Sequence, residues 1–276
     1  MNLQGGTGMS IGLVKKVALL LLLSFIISGF PAPSSEAIPV TSKGSILLSK
    51  QQNKMNKKRL TMSQLIRKYP ETFKTGGPRI KSVALTFDDV PDPRFTPQLL
   101  DVLRKNQVRA TFFVVGSRAK KHPDLVARIV REGHIIGNHS YNHPQFRKLR
   151  MKEFKAQILR TENIIQNIVG YKPKLIRPPY GEITEQQLEW AKSHGYKVVN
   201  WNVDSQDWKG LPKGEVKANI LSAAGKGAII LQHGGGGPSS HLEGSIQALP
   251  EVIANLKQRG YTFVTVPQLL HVSKSK

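Results

Sequence analysis

From about residue 81 onward, short apolar runs alternate with amphipathic stretches along the chain. The runs are rich in Val, Ile, Leu and Phe at successive positions, which is typical of strands buried on both faces in a parallel sheet. The seven predicted strands are 82–87, 109–115, 134–138, 174–177, 197–202, 227–233 and 261–266. Helical patterns lie between them, the longest near 149–169. This alternation predicts a barrel-like α/β fold, with an open doubly wound sheet as the alternative.

The first 37 residues have the layout of a secretory signal peptide. Lys15 and Lys16 precede an apolar run at 17–27, and Ser35-Glu36-Ala37 resembles a small-x-small cleavage site. The apolar run is shorter than the roughly 20 residues that a membrane-spanning helix needs. We therefore predict a signal peptide at 1–37, with an uncleaved membrane anchor as the alternative. The protein is expected to be secreted or held at the outer face of the cell.

Residues 38–80 form a second segment, which is rich in Lys and Arg and has a single acidic residue, Glu71. Its hydrophobic periodicity is poor until 62–69, where one short helix is predicted. We interpret 38–80 as a basic linker, either a solvated tether or an electrostatic grip on an acidic wall polymer. The folded domain is then predicted to comprise residues 81–276.

The chain has 41 Lys and Arg against 18 Asp and Glu, which is a formal net charge of +23. Such a charge favours polyanionic surroundings, such as nucleic acid, anionic lipid or an anionic wall polymer. For an exported protein, the wall polymer is the expected partner and nucleic acid is not. The absence of cysteine excludes disulfides, thiolate zinc sites and cysteine nucleophiles, so any metal must be bound by histidine and carboxylate.

Ionisable side chains follow five of the predicted strands, at the point where each strand ends. They are Asp88 and Asp89, His139 with His143, Arg177, Asp204 with Asp207, and His233. In α/β barrels, the chemistry lies where the strands end and the loops begin. The sequence therefore predicts that these side chains meet at one rim.

The spacing of His139 and His143 allows one turn to aim both imidazoles at a single ion. One carboxylate from the pair Asp88 and Asp89 would complete a two-histidine, one-carboxylate site with an open position for water. The other carboxylate would accept a proton from that water. The residues alone leave open which aspartate has which role, and a surface turn is the alternative interpretation of the histidine pair.

Two further groups of residues accompany this predicted metal site. Arg177 lies at a buried strand end and needs a carboxylate partner, for which Asp88 is the candidate. The prolines after Arg177 stiffen a loop in which the backbone N–H of Tyr180 can face a developing oxyanion. Asp207 can raise the pKa of His233 so that the imidazole stays a proton donor, with a structural histidine as the alternative.

Two neighbouring features have competing interpretations. Trp208 is either an apolar wall for a sugar ring or a part of the core. The run 233–236, His-Gly-Gly-Gly, resembles the oxyanion motif of esterases. The nucleophile-elbow pattern at 8–12 precedes it by more than 200 residues and lies in the predicted signal peptide, so a serine hydrolase is not expected.

Taken together and in this order, five motifs resemble the polysaccharide deacetylase family, which is the NodB-homology domain of carbohydrate esterase family 4. The motifs, within about residues 80–270, are Thr86-Phe87-Asp88-Asp89, His139-Ser140-Tyr141-Asn142-His143, Arg177-Pro178-Pro179-Tyr180, Asp204-Ser205-Gln206-Asp207-Trp208 and Leu231-Gln232-His233. The resemblance implies a distorted (β/α) barrel of about seven parallel strands. It also implies removal of acetyl groups from N-acetylated sugars with zinc or another divalent metal, such as cobalt or nickel.

Carried over position by position, the resemblance implies that Asp89, His139 and His143 bind the metal. It implies that Asp88 is the general base and that Arg177 holds and tunes this carboxylate.

The same resemblance implies that the backbone N–H of Tyr180 shares the oxyanion with the metal. It implies that His233 is the general acid and that Asp207 orients it. The positions implied to bind the substrate are Pro179, Trp208 and Leu231.

Val90 departs from the family pattern, which usually has glycine after the aspartate pair. Glycine permits backbone angles that a β-branched residue resists. We therefore expect a shifted loop at 90–93 and a narrower substrate groove, with the metal ligands and the base intact. This departure supports the alternative of a low-activity or non-catalytic wall-binding homologue.

The motifs predict a metal-dependent hydrolase that removes N-acetyl groups from N-acetylglucosamine units of a cell-wall polysaccharide. Peptidoglycan is the expected substrate because of the predicted export and the basic linker, and chitin-like glycans and muramic-type residues are alternatives. A polyanion-binding protein and a glycosidase with paired carboxylates are the alternatives from other classes.

Overall fold

Within residues 59–276, the part of the chain that the structure describes, nine parallel strands form one sheet. The structure is a computed structural model, and these residues belong to one compact unit, Gln52–Lys276. The predicted signal peptide at 1–37 and residues 38–58 of the predicted linker lie outside the described residues. The strands are β1 (Phe73–Lys74), β2 (Ser82–Val90), β3 (Thr111–Val114), β4 (Ile135–Asn138), β5 (Leu175–Ile176), β6 (Lys197–Val199), β7 (Val203–Asp204), β8 (Ala228–His233) and β9 (Thr262–Phe263).

Helices connect the strands, as the amphipathic stretches predict. They are α1 (Met62–Lys68), α2 (Thr96–Lys105), α3 (Gly116–Lys121), α4 (Pro123–Arg131), α5 (Met151–Val169), α6 (Glu185–Ser193), α7 (Lys213–Ala223), α8 (Glu243–Gln258) and α9 (Val266–Leu270). The longest, α5, ends at Gly170 in the left-handed conformation with φ of 81°, a C-cap that favours glycine. Between residues 59 and 276, no helix combines the length and the apolar character needed to cross a membrane.

The order of the strands shows that the sheet is curled. The order is β1-β6-β5-β4-β3-β2-β8-β7, and β9 pairs with β2. Strands β6 and β7 lie near opposite ends of this order, yet only residues 200–202 separate them, and four peptide units reach at most about 14 Å. Asn200 N donates to Lys74 O of β1, and Asn202 N donates to Ile229 O of β8. The parallel barrel prediction is confirmed as a curled half-barrel, and the open doubly wound alternative is wrong.

Apolar side chains fill both layers around this sheet. The inner cluster of buried side chains is Ala84, Phe113, Leu175, Val199, Ile229, Val266 and Leu269. A larger cluster packs between the sheet and the helices and includes Phe87, Leu99, Phe112, Ile136 and Leu249. Because strand residues alternate between the two faces, strands buried on both sides need apolar residues at nearly every position. The continuous apolar runs in the sequence have this physical cause.

The described part of the predicted linker packs against the barrel. Strand β1 pairs with β6, with Phe73 opposite Val198, and Leu65 of α1 is buried in the same cluster. Thr61 caps α1 by accepting a hydrogen bond from Gln64 N. The sheet therefore begins before residue 81, where the sequence pattern placed the start of the folded domain.

Candidate active site

The carboxyl ends of the strands open into a cavity of about 420 Å³ at one end of the barrel. The predicted site residues that line it are Asp88, Asp89, His139, His143, Tyr180, Trp208, Leu231 and His233. Three other predicted site residues, Pro179, Arg177 and Asp207, are buried and are not among the lining residues. The structure thus brings the predicted residues to one rim, with part of the set behind the cavity wall.

Asp89, His139 and His143 form a cluster suited to a metal ion. The ligand atoms of the three side chains lie within 4.8 Å of one another. Asp89 Oδ1 is 3.4 Å from His143 Nε2 and 3.8 Å from His139 Nε2. This oxygen is buried without a hydrogen-bond partner among the described residues. An orphaned carboxylate oxygen that faces two imidazole nitrogens fits a divalent cation.

The hydrogen bond of His139 prepares its ring for ligation. Nδ1 lies 2.7 Å from the carbonyl oxygen of Arg177, which can only accept, so Nδ1 carries the proton and Nε2 is left with its lone pair. Burial, followed by the neighbouring His143, lowers the pKa of His139 to about 3. The ring is therefore neutral at ordinary pH, which is the form that binds metals.

The loop that carries both histidines is held by its own side chains. Ser140 and His143 have positive φ, of 70° and 60°, which bend the chain back on itself. Ser140 Oγ accepts from the backbone N–H of His143 at 3.0 Å. Gln157 Oε1 of α5 accepts from the backbone N–H groups of Tyr141 and Asn142. The sequence carried no signal for Gln157, because its contact depends on the packing of α5 against this loop.

Asp88 and Arg177 form a buried ion pair beside the metal cluster. Arg177 Nη1 donates to Asp88 Oδ1 at 2.8 Å, and both side chains are almost completely buried. The guanidinium also donates to Thr86 Oγ1 and to the carbonyl oxygens of Val199 and Asn200. Burial raises the pKa of Asp88, and the charge and hydrogen bond of Arg177 oppose that shift. The carboxylate is thereby fixed in place, with Oδ2 turned to His139 Nε2 at 3.7 Å.

Asp207 and His233 form a second pair, in which Asp207 is buried and His233, on the strand next to Asp88, is partly buried. His233 Nδ1 lies 2.7 Å from Asp207 Oδ1, and Asp207 Oδ2 accepts from the His233 backbone N–H and from Ser245 Oγ. Burial alone would raise the pKa of Asp207, but the charge and hydrogen bonds of His233 outweigh it and lower that pKa. Burial would lower the pKa of His233, but Asp207 outweighs this effect and raises the pKa to about 9. The ring is therefore protonated at neutral pH.

The remaining predicted residues form the walls of the cavity. Leu231 is buried, whereas Trp208 is 58% exposed, so the interpretation of Trp208 as a core residue is wrong. Tyr180 has a φ of 58°, and its ring lies 4.9 Å from the ring of His143. The cavity therefore has an apolar floor and an aromatic rim, as a sugar-binding cleft requires.

Val90 does not have the backbone strain that the sequence predicted for it. It lies in β2, is buried, pairs with Val114 of β3, and is not among the residues with positive φ. The left-handed conformation occurs one residue earlier, at Asp89, with φ of 63°. The register between β2 and β3 shifts between Phe87 and Val90, and the strand resumes at Val90, where a β-branched residue is favourable.

Asp92, Arg94 and Arg118 form a polar cluster that the sequence patterns did not identify. The buried carboxylate of Asp92 accepts from Arg94 Nη2 at 2.8 Å, from Arg118 Nη1 at 3.2 Å and from the Gly236 backbone N–H at 3.3 Å. Both arginines also donate to backbone carbonyl oxygens within 236–238. We call this set the Asp92 cluster.

The glycine loop at 234–237, which follows His233, is held by this cluster, and Gly235, Gly236 and Gly237 line the cavity. A Cβ at Gly235 would lie 2.2 Å from the carbonyl oxygen of Asp89, so glycine is required there. The glycines of the run at 233–236, which resembles an esterase oxyanion motif, therefore allow the backbone of Gly235 to approach that of Asp89 beside the cavity.

Comparison with known proteins identifies polysaccharide and peptidoglycan deacetylases as relatives of this chain. Residues 75–199 match the sequence profile described as "Polysaccharide deacetylase". The chain is 47% identical over 212 residues to a Peptidoglycan-N-acetylglucosamine deacetylase of Bacillus cereus, and the match covers 76% of each chain. It is 41% identical over 202 residues to the Peptidoglycan-N-acetylmuramic acid deacetylase PdaC of Bacillus subtilis, covering 73% of this chain and 41% of PdaC.

A solved structure shares the fold. The Bc1960 peptidoglycan N-acetylglucosamine deacetylase, in complex with 4-naphthalen-1-yl-N-oxidanyl-benzamide, superposes with a TM-score of 0.73 at 46% sequence identity. The match covers 74% of this chain and 95% of that chain.

Proposed function

This chain belongs to the polysaccharide deacetylase family, and from that premise we propose that it hydrolyses the N-acetyl groups of N-acetylglucosamine units in peptidoglycan. The observation that carries the proposal is the position of two acid–base pairs in relation to one Asp–His–His cluster. Asp88 and His233 face each other as register partners at the ends of β2 and β8, and both line the cavity. An acetamido group placed between them would meet a proton acceptor on one side and a proton donor on the other.

The proposed metal site consists of Asp89, His139 and His143. These residues would hold a divalent cation, zinc or another such as cobalt or nickel, which when bound supplies Lewis-acid polarisation of the acetyl carbonyl and of water.

Asp88 is the proposed general base. Its carboxylate takes a proton from the water molecule whose oxygen attacks the acetyl carbon. The charge and hydrogen bond of Arg177 favour the ionised carboxylate and hold it in place, while burial raises its pKa and makes it a better proton acceptor than an exposed aspartate.

His233 is the proposed general acid. Its ring is protonated at neutral pH because Asp207 raises its pKa to about 9. It donates that proton to the sugar nitrogen as the carbon–nitrogen bond breaks, so that acetate and a free amino sugar leave. Asp207 stays ionised and holds the ring in the donating orientation.

The backbone N–H of Tyr180 is proposed to donate to the oxyanion that forms on the acetyl carbonyl. Its place is defined by the turn Pro179–Gly181, in which Tyr180 has a positive φ. Leu231 and Trp208 provide the apolar surfaces that would receive the acetyl methyl group and the sugar ring.

Peptidoglycan is the proposed substrate because two relatives, at 47% and 41% identity, are named as peptidoglycan deacetylases. The predicted signal peptide supports a location outside the cell, where this polymer lies. The PdaC name specifies N-acetylmuramic acid, so the second sugar of peptidoglycan is the alternative target.

Acetate release from purified peptidoglycan, with and without a chelator, tests the proposal. We expect acetate release that the chelator abolishes and that added zinc restores. His139→Ala is expected to lose bound metal and at least about 100-fold in rate, because a first ligand is removed. His122→Ala, which alters a histidine that does not line the cavity, is the matched control and is expected to retain both.

Identification of the deacetylated sugar by mass spectrometry separates glucosamine from muramic acid. Full activity in a metal-free preparation, or new reducing ends in place of acetate, would contradict the proposal.

A further inference from the structure

A second cavity, of about 510 Å³, lies near the active-site cleft beside His143 and Tyr180. Its lining residues are Arg59, Leu60, Thr61, Met62, Gln145, Arg147, Lys148 and Glu182. Gln145 follows His143 by two residues and Glu182 follows Tyr180 by two residues, and two peptide units span at most about 7 Å. Since His143 and Tyr180 line the cleft, the backbones that line the two cavities come within about 7 Å of each other at these two places.

The charge of this second cavity is positive. Among its described lining residues, the cations Arg59, Arg147 and Lys148 face a single carboxylate, Glu182. Arg147 Nη1 lies 3.6 Å from Glu182 Oε1, and both side chains are partly exposed, so this ion pair is weak and leaves Arg147 able to bind another anion. We call Arg59, Arg147, Lys148 and Glu182 the cationic groove.

The acidic residues beyond the groove are engaged elsewhere. Glu185 accepts from Lys68 Nζ at 2.5 Å and from the hydroxyl of Tyr69 at 2.9 Å. Glu189 accepts from the same hydroxyl at 2.8 Å, and Glu153 pairs with Arg150 at 2.6 Å. Glu185 and Glu153 are therefore paired with cations of their own, Lys68 and Arg150, and the groove has three cations against one carboxylate among its own lining residues.

We propose that the cationic groove binds a carboxylate carried by the glycan strand next to the sugar held in the cleft. The inference rests on the proposed function, because the groove could serve only a substrate that already occupies the cleft. Peptidoglycan carries carboxylates on its stem peptides, and on the lactyl groups from which the peptide has been removed, whereas chitin is neutral. Guanidinium and ammonium groups are the side chains that bind carboxylates, so the groove selects the charged polymer.

The test compares kcat/KM for two substrates, a peptide-bearing peptidoglycan fragment and a chitin oligomer. For the double variant Arg147→Gln/Lys148→Gln, we expect the ratio of kcat/KM, charged over neutral, to fall roughly threefold to tenfold. The loss should shrink at high ionic strength, because salt screens exposed charges. The matched control is Lys105→Gln/Arg131→Gln, which removes the same charge at the ends of α2 and α4 and should leave the ratio unchanged.

Glu182→Gln is expected to change the ratio of kcat/KM in the opposite direction. It removes the acidic residue that lines the groove and keeps all three cations, so the ratio should rise. An active enzyme whose ratio is the same in wild type, Arg147→Gln/Lys148→Gln and Glu182→Gln would overturn the inference and leave the proposed function standing. A wild type that releases acetate from neither substrate would overturn both.

A third substrate arm identifies the carboxylate. Removal of the stem peptide by an amidase leaves the lactyl carboxylate on the glycan. The same cleavage removes the peptide carboxylates, and it frees a lactyl carboxyl that the peptide had held as an amide. A variant effect that persists therefore shows that the groove also accepts the lactyl carboxylate, and an effect that disappears assigns the stem peptide. Either result supports a carboxylate ligand.

Discussion

Asp88 and Asp89 are neighbours in the chain, yet each meets different partners. Successive residues of a strand point to opposite faces, so a regular strand would send one of the two carboxylates away from the cavity. The positive φ of Asp89, 63°, breaks this alternation at the strand end, and both side chains line the cavity. Asp88 stays in register with His233 and pairs with Arg177, while Asp89 turns to the two histidines.

His233 and Asp207, two further residues of the site, determine each other's protonation state. Neither group would hold its charge in a buried position alone, and each stabilises the charge of the other. Because the proton donor is lost as pH rises through the pKa of His233, the rate is expected to fall on the alkaline side near pH 9.

The variant Asp207→Asn tests this coupling. Without the carboxylate, burial lowers the pKa of His233, so the alkaline fall in rate should move to lower pH by more than about one unit. The pH profile of kcat/KM measures the shift. Ser245→Ala removes only one hydrogen bond to Asp207 and is the control, with a much smaller shift expected. An unchanged profile in Asp207→Asn would show that another group is the acid.

At the scale of elements, two loops form the cleft wall, and the Asp92 cluster joins them. One loop follows the aspartate pair at the end of β2, and the other follows His233 at the end of β8. Thr96 Oγ1 adds a further link, since it donates to the carbonyl oxygen of Gly234 at 2.9 Å. The position of the glycine loop after the proposed acid therefore depends on residues that do not line the cavity.

Asp92→Asn is expected to loosen the glycine loop. With the negative charge removed, Arg94 and Arg118 lose their shared acceptor, and kcat/KM should fall by about tenfold to hundredfold through misplacement of reacting groups. Amide hydrogen exchange within 234–238 should become faster, which reports local opening. Asp101→Asn, an exposed acidic residue of α2 that also pairs with arginine, is the control and should change neither measurement. Unaltered exchange in Asp92→Asn would refute the link.

At the scale of the whole molecule, the barrel includes residues that precede the domain boundary predicted at 81. Strand β1 adds an edge to β6, and the cluster around Leu65, Phe73 and Trp190 covers the outer side of the sheet there. Burial of such side chains contributes about 1.5–3 kcal/mol each to the free energy of folding. The segment at 59–80 is therefore expected to be required for stability.

Phe73→Ala measures this contribution. Phe73 is 1% exposed, so its truncation should lower the free energy of unfolding by about 3–5 kcal/mol in a denaturant titration. Ile80→Ala, at a side chain 45% exposed in the same segment, is the control and should change it by less than about 1 kcal/mol. Equal stability of both variants would mean that 59–80 is a dispensable tether.

Much of this architecture was predictable from local patterns. The continuous apolar runs predicted seven of the nine strands of the described region, because a strand that is buried on both faces needs an apolar residue at nearly every position. Strands β1 and β7 have two residues each, of which only Phe73 and Val203 are apolar, so their pattern does not differ from a loop. The equally short β5 and β9 lie within the longer predicted strands at 174–177 and 261–266. The motif residues at strand ends were identifiable because parallel strands deliver their carboxyl ends to one rim.

The sequence by itself determined the parallel strands, the rim to which they lead and the kinds of side chain that meet there. The tertiary structure alone decided that Gln157 and the Asp92 cluster hold the loops, and that Arg147 and Lys148 line a groove near the cleft. The physical reason is the separation in sequence between the residues that interact. Strand patterns follow from burial repeated along the chain, whereas these contacts join residues that are distant in sequence, and their geometry exists only once the barrel has curled.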